Sequence, residues 1–127
     1  MFDHITLLLQ VMPKHILSVS YNERLLLTRE LLLQREGYAV TSALGFTEAV
    51  KHCKAGPFDL FILGHSIPEN DKRELVHLFS QSFKSPVLAL QRHGENIPDG
   101  AEFHAHPDDI KGLLRTVGKI LSERTAE

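Results

Sequence analysis

Short apolar runs alternate with segments of helical periodicity along most of the chain. Short runs of apolar or β-branched residues, bounded by glycine, proline or polar residues, are typical of β-strands. An alternation of strand and helix predicts a parallel sheet that is covered by helices on both faces. The predicted strands are residues 15–20, 38–43, 58–63, 86–90 and 101–106.

Four further segments place apolar residues at the spacing of one helix face. Asn22 is a suitable N-terminal cap for the first of them, and Gly37 ends it. In the second, Cys53 falls on the face of Ala49 and Val50 and is interpreted as a small core residue. The predicted helices are residues 22–37, 45–56, 71–83 and 108–121. The predicted fold class is therefore α/β, with a doubly wound five-stranded parallel sheet.

The residues that follow each predicted strand are the candidates for a functional site. In open parallel sheets, sites form beyond the carboxyl ends of the strands, where the strand order reverses. Those positions are Ser20 and Tyr21, Gly64, Gln91 and His106. Gly64 is the most unusual of them, because it follows the apolar run of the third strand and has no side chain with which to act.

Composition narrows the class of protein. A chain of 127 residues with 43% hydrophobic and 24% charged residues is expected to form one globular domain. Its net charge of −2 supplies no basic footprint for nucleic acid. The single cysteine excludes an internal disulfide and a cysteine-based zinc site, which favours a reducing cytoplasm. The apolar run at residues 5–12 is too short for a membrane span, so no membrane contact is predicted.

From about Lys14 to Leu121 the sequence resembles the response-regulator receiver domains of bacterial two-component signalling. The likeness rests on the segments LLLQREGYAVTSA and GFTEAVKHCKAGPFDLFIL, followed by IP, SPVLAL and a closing HP. The retained framework residues are Gly37, Asp59, Pro68, Pro86 and Pro107. The resemblance implies a CheY-like, flavodoxin-like domain over residues 14–122, with an N-terminal extension at 1–13 and a tail at 123–127.

Five positions carry the chemistry of that family, and this sequence differs at all five. In the family, an aspartate accepts the phosphoryl group, and an acidic pair binds the Mg²⁺ that stabilises the transfer. The phosphoacceptor falls on Gly64, the acidic pair on Ser20 and Tyr21, the hydroxyl position on Gln91 and the lysine position on His106. Phe103 retains an aromatic residue at the switch position. The resemblance therefore implies a degenerate pseudo-receiver with no catalytic residue, metal or cofactor.

The connection between the last two strands is shorter than in that family, which places a full helix there. A parallel crossover needs roughly a dozen residues, and the segment RHGENIPDGAE leaves little room for a helix. Pro98, Asp99 and Gly100 favour a turn within it. The helix between strands four and five is therefore predicted to be shortened or absent.

Histidines suggest one alternative function. His104 and His106 lie two apart on the last strand and so share a face, while His65 and His93 follow the third and fourth strands. Converging imidazoles would bind zinc or accept a phosphoryl group. Their spacing matches no compact metal motif, and isolated histidines are most often surface or partly buried residues. A small metal- or histidine-dependent protein is therefore the alternative and not the main prediction.

Phosphorylation at a substitute residue is a further alternative. Glu23, Glu69 and Asp71 lie near the predicted crevice. Glu23 is expected to complement the dipole of the first helix and Asp71 to cap the third. Mg²⁺ also requires well-placed octahedral oxygen ligands. These residues are therefore interpreted as structural, and Tyr21 is expected to fill the crevice and not to act as a nucleophile.

Together these observations predict a signalling protein that is not an enzyme. Its expected role is a phosphorylation-independent protein-interaction module in two-component signalling or a phosphorelay. The expected partner is a protein, with a second copy of the chain as one option. The apolar segment at residues 1–13 either packs on the domain or on a second copy, or is an extension without a structural role.

Overall fold

The computed structural model describes residues 13–82, 84–92, 94–95 and 100–126. Its strands are β1 (His15–Ser20), β2 (Ala39–Leu44), β3 (Leu60–Leu63), β4 (Val87–Leu90) and β5 (Phe103–Ala105). Its helices are α1 (Glu23–Arg35), α2 (Phe46–Ala55), α3 (Glu69–Ser82) and α4 (Ile110–Ala126). Apart from Pro13, the predicted N-terminal extension lies outside the described residues, as does His93.

The strands form one parallel sheet in the order β2-β1-β3-β4-β5. This order confirms the α/β fold with a doubly wound sheet that the alternation of strand and helix predicts. β1 lies between β2 and β3, so that Val19 is opposite Ala43 on one side and Leu63 on the other. Because the strand order reverses at β1, a crevice forms at the carboxyl ends of β1 and β3.

The sheet separates two hydrophobic clusters, as the side chains of β3 show. Phe61 and Leu63 belong to the cluster on the side of α2 and α3, while Leu60 and Ile62 belong to the cluster beneath α1 and α4. All four are fully buried, as expected for a central strand of a parallel sheet. In the first cluster, the rings of Phe61 and Phe79 stack with their centroids 4.3 Å apart.

The first two helices follow the sequence prediction closely. Asn22 Oδ1 accepts a hydrogen bond from Leu25 N at 3.1 Å, which confirms the predicted cap of α1. Gly37, just after that helix, has a φ of 96°, a conformation that favours glycine. Cys53 on α2 is fully buried in the first cluster, which confirms its predicted place in the core.

Helix α3 begins before its predicted start at Asp71. The helix runs from Glu69, and Lys72 N donates a hydrogen bond to Pro68 O at 2.9 Å. Asp71 therefore lies within the first turn and is not the cap, so that prediction was wrong. Its carboxylate is oriented toward a different partner, the hydroxyl of Tyr21.

Helix α4 is displaced along the chain from its predicted position. Gly112 N donates to Asp109 Oδ1 at 2.9 Å, so the capping carboxylate belongs to Asp109 and not to its neighbour Asp108. The helix continues to Ala126, past the predicted end at Leu121. None of the helices in the described part of the chain is long and apolar enough to cross a membrane.

The connection from β4 to β5 contains no helix in the part that the structure describes, which covers residues 91–92, 94–95 and 100–102. Arg92 N donates to Glu95 Oε1 at 2.8 Å and closes a tight turn. Gly94 and Gly100 both have positive φ angles, of 85° and 94°. This part of the connection agrees with the prediction of a shortened or absent helix.

Candidate functional site

The residues predicted to form a site lie at one edge of the sheet. Gly64 N donates to Val19 O at 2.9 Å, which places the end of β3 beside the end of β1. On the other side of β3, Gln91 N donates to Ala105 O at 2.9 Å, which joins the ends of β4 and β5. Ser20 is fully buried at the centre of this edge.

Gly64 occupies a position with little room for a side chain. A Cβ atom there would lie 3.1 Å from Val19 O and 3.2 Å from Arg29 Nη2. Both distances are shorter than ordinary van der Waals contacts, and the first involves rigid backbone of β1. Its φ angle is not positive, so steric space and not backbone conformation favours glycine here.

Arg29 fills the space beside Gly64. It extends from α1 into the protein and is 6% exposed. Its Nη1 donates to Ser18 Oγ at 3.1 Å and to Val19 O at 3.3 Å. The sequence analysis missed this residue, although Arg29 lies at helical spacing between Leu26 and Leu33, on the buried face of α1.

The guanidinium of Arg29 has no counter-charge in the described residues. No acidic side chain among them forms an ion pair with it. Burial lowers the pKa of Arg29 to about 10, because removal from water disfavours the charged form. That pKa is still well above neutral pH, so the side chain remains positively charged. The end of β3 thus has a buried cation beside it.

Ser20 is engaged in the turn that leads into α1. Its Oγ donates to Asn22 O at 3.1 Å and accepts from Asn22 N at 3.0 Å. Ser66, on the loop after β3, lies within 3.4 Å of the same hydroxyl. The side chain therefore stabilises local backbone and provides no negative charge to the crevice.

Tyr21 links the end of β1 to α3. Its phenolic O–H donates to Asp71 Oδ2 at 2.7 Å, and the ring packs against the first hydrophobic cluster. Burial raises the pKa of Tyr21 well above its usual range, and the hydrogen bond to Asp71 and the charge of Glu74 act in the same direction. The Asp71 carboxylate is therefore paired with a protonated phenol.

Gln91 and His106 lie just beyond the carboxyl ends of β4 and β5, whereas Phe103 is the first residue of β5, opposite Leu88. Gln91 Oε1 is buried and has no hydrogen-bond partner among the described residues. His106 Nδ1 accepts from Asp108 N at 3.1 Å. Phe103 is half-buried against the second hydrophobic cluster. Gln91, His104 and His106 line a shallow cavity of about 240 Å³.

The three predicted histidines that the structure describes do not converge on one point. His104 and His106 line the cavity at the end of β5, whereas His65 lines a separate cavity between α1 and α4. Within the described residues there is no group of three histidine, cysteine, aspartate or glutamate side chains that would hold a metal ion. His93 lies outside those residues. The geometry thus brings together two of the four predicted histidines.

No protein-family model and no curated protein matches the sequence. Solved structures do match: the signal receiver domain of an HD domain-containing protein from Pseudomonas fluorescens Pf-5 has a TM-score of 0.78 at 22% identity, covering 91% of this chain and 100% of that one. This chain has the receiver fold. The match to the solved receiver domain confirms the CheY-like architecture that the sequence predicts.

Two further matches concern one response regulator, TrrA. Its structure from Thermotoga maritima in complex with Mg²⁺–BeF has a TM-score of 0.74 at 24% identity and covers 84% of this chain and 98% of that one. Its structure in complex with the histidine kinase ThkA has a TM-score of 0.73 at 24% identity, covering 85% and 98%. At these identities the likeness establishes the receiver fold and not an activity.

Proposed function

We propose that this chain is a degenerate receiver that acts in two-component-type signal transduction as a phosphorylation-independent protein-interaction module. It has the receiver fold without an acidic pocket, and it has no enzymatic activity. The observation that carries the proposal is the guanidinium of Arg29, which lies beside Gly64 at the position where a phosphoacceptor side chain would extend.

The electrostatics of the crevice oppose phosphoryl transfer. Mg²⁺ needs several oxygen ligands in octahedral geometry, and its role is to neutralise charge on the phosphoryl group. Ser20 contributes only a hydroxyl that is already hydrogen-bonded, and Tyr21 contributes a phenol that donates to Asp71. A buried guanidinium repels a second cation strongly in such a low-dielectric site. The crevice therefore disfavours Mg²⁺.

Exposed apolar side chains on α1 support a role in protein interaction. Leu27 and Leu31 are 54% and 55% exposed, and at a spacing of four residues they share one face of the helix. TrrA, which has the same fold, forms a complex with a histidine kinase. We infer a signalling protein of that kind as the partner, with a second copy of this chain as the other option.

Treatment with a small phosphodonor tests the proposal. The chain is incubated with acetyl phosphate and Mg²⁺, and its intact mass is measured by mass spectrometry over time. We expect no gain of mass, because no carboxylate lies at the acceptor position. A receiver with an intact acidic pocket, treated in parallel, shows that the reagent is active. Gain of one phosphoryl group by the wild-type chain contradicts the proposal.

The variant Gly64→Asp distinguishes two reasons for an absence of phosphorylation. One is that the acceptor carboxylate is missing, and the other is that the crevice cannot bind Mg²⁺. The variant restores a carboxylate beside Arg29 Nη2 but leaves Ser20 and Tyr21 without negative charge. We expect it to remain unphosphorylated, since the new carboxylate pairs with the guanidinium and no ligands for Mg²⁺ are added. Efficient phosphorylation of this variant would show that the crevice is open and that Arg29 does not block it.

The interaction part is tested by light scattering and by binding to a histidine kinase. Light scattering measures the molar mass of the chain in solution with and without acetyl phosphate. Binding to the kinase is measured for the wild type and for the double variant Leu27→Gln, Leu31→Gln. We expect the affinity for the kinase to be the same with and without acetyl phosphate. We expect it to be lower for the double variant than for the wild type. Association that occurs only with the phosphodonor would contradict phosphorylation independence.

No observation favours the metal alternative. His65 and His106 line different cavities, and imidazoles so placed do not share a metal ion. Metal analysis of the purified protein, repeated for His65→Ala and His106→Ala, remains the direct measurement. Zinc or nickel that is present in the wild type and lost in either variant would support the alternative over the proposal.

A further inference from the structure

A cavity of about 490 Å³ opens between α1, the loop after β3, the end of β4 and the start of α4. Its size is typical of a site for a small organic ligand. Leucines of α1, β4 and α4 form much of its wall. Its charged or ionisable groups are Arg29, His65, Arg92 and Asp108. Two guanidiniums and one carboxylate therefore line the cavity.

Arg29, which lines this cavity, has N–H groups that form no hydrogen bond with the described residues. A guanidinium carries five N–H groups. The hydrogen bonds of Arg29 to Ser18 and Val19 both come from Nη1. No hydrogen bond within the described residues uses its Nε–H or Nη2–H groups, which lie on one edge of the planar guanidinium. That edge is the fork to which a carboxylate binds with two parallel hydrogen bonds.

His65 also lines this cavity. Its imidazole is therefore close enough to the cavity to respond to a charge that is bound there. Arg92, which is exposed at the mouth of the cavity, adds a second positive charge.

We infer that this cavity binds a small organic carboxylate with an apolar body, held through its carboxylate by the unused N–H groups of Arg29. The leucines of the wall contact the apolar body, and the entropy of release of water favours its burial. A chain that bound no protein partner would still carry this site.

Nuclear magnetic resonance titration with hexanoate tests the inference. Two-dimensional ¹⁵N–¹H spectra of the full chain are recorded during titration with hexanoate, with hexanamide and with inorganic phosphate. We expect saturable shifts at residues around the cavity with hexanoate, with a Kd on the order of 1 mM for so small a ligand. We expect no saturable shifts with the neutral amide, because it cannot form the charge-assisted fork.

Three variants assign the binding to the cavity. Arg29→Met and Arg92→Gln each remove one guanidinium, and Arg115→Gln removes an exposed one from α4 that does not line the cavity. We expect affinity for hexanoate to fall about tenfold or more in Arg29→Met and to be unchanged in Arg115→Gln. If Arg29→Met does not fold, two other results test the inference. They are the loss of affinity for hexanoate that we expect in Arg92→Gln and the comparison of hexanoate with hexanamide.

The ionisation of His65 provides an independent readout. Burial lowers the pKa of His65, and the charges of Arg92 and Arg29 lower it further, while Glu95 and Asp108 act in the opposite direction. A bound carboxylate stabilises the imidazolium, so we expect hexanoate to raise the pKa of His65 in the wild type and not in Arg29→Met.

Three results would overturn the inference. One is equal affinity for hexanoate and hexanamide, which would make the carboxylate irrelevant. Another is wild-type affinity in a folded Arg29→Met variant. The third is saturable binding of inorganic phosphate at the same residues with equal affinity, which would remove the requirement for an apolar body.

Discussion

At the scale of single residues, the burial of Arg29 disfavours its charged form. Taking a guanidinium out of water is unfavourable unless an acid pairs with it, and the described residues provide only Ser18 Oγ and the carbonyl of Val19. A buried cation that lines a cavity, with no acid paired to it among the described residues, is the kind of group that an anionic ligand explains.

The variant Arg29→Met tests that cost. Methionine has a similar length and no charge, so we expect the free energy of unfolding at neutral pH to rise by about 1 kcal/mol, after the loss of two hydrogen bonds is included. The lowered pKa of Arg29 means that the penalty applies fully below about 10 and disappears as the pH rises above that value. Urea denaturation measures the change.

Arg115→Met is the matched control, because Arg115 is exposed on α4. It should change the free energy of unfolding by less than about 0.5 kcal/mol. A large loss of stability in Arg29→Met would mean that the two hydrogen bonds outweigh the burial of charge.

The sequence pointed to Gly64, Ser20 and Tyr21 but not to Arg29. The resemblance directs attention to the ends of the strands, because those positions can be read directly from the sequence. It does not show which side chains of other elements pack against them. Here that side chain comes from a neighbouring helix, and only the spacing of Leu26, Arg29 and Leu33 hinted that it faces inward.

At the scale of elements, the hydrogen bond from Tyr21 to Asp71 joins the end of β1 to the first turn of α3. Sequence patterns could not predict this link, since it depends on contacts between segments distant along the chain. The same limit explains the misplaced starts of α3 and α4. Asp108 and Asp109 are adjacent and equally suited to capping, and only tertiary structure selects one of them.

Tyr21→Phe removes that link. We expect the free energy of unfolding to fall by about 1 kcal/mol near pH 8, because a hydrogen bond to a charged acceptor is lost. The raised pKa of Tyr21 means that its contribution is fully present below the unfolded pKa of about 10 and is lost as the pH rises further. The difference between wild type and variant should therefore shrink at alkaline pH.

Urea denaturation over a range of pH measures this difference. Asp71→Asn keeps an acceptor oxygen without its charge and should lose less stability than Tyr21→Phe. A constant difference across the alkaline range would show that Tyr21 does not titrate as the geometry implies.

At the scale of the whole molecule, the alternation of apolar runs and helical segments was sufficient to predict the fold. This pattern predicts five parallel strands, helices on both faces of the sheet and a crevice where the strand order reverses. Few other arrangements bury apolar strands on both sides. Binding properties do not follow from that architecture. They depend on charges such as that of Arg29.

Mg²⁺ should leave the stability of the whole chain unchanged. A site with a Kd of about 0.1 mM would stabilise the fold by ~2.7 kcal/mol in about 10 mM MgCl₂. We expect the Tm in MgCl₂ to lie within about 1 °C of the Tm in NaCl at the same ionic strength. A rise of several degrees, reversed by a chelator, would reveal an Mg²⁺ site and contradict the proposed loss of the acidic pocket.

The contact between Gly64 and Arg29 also limits how this chain can change. An aspartate introduced at position 64 alone would meet a guanidinium and be neutralised by it. Loss of Arg29 alone would leave an uncharged gap. Because neither step by itself gives a phosphoacceptor, a phosphorylation site at the end of β3 would need coordinated substitutions at both positions. The two positions are therefore energetically coupled, and the effects of their substitutions should not be additive.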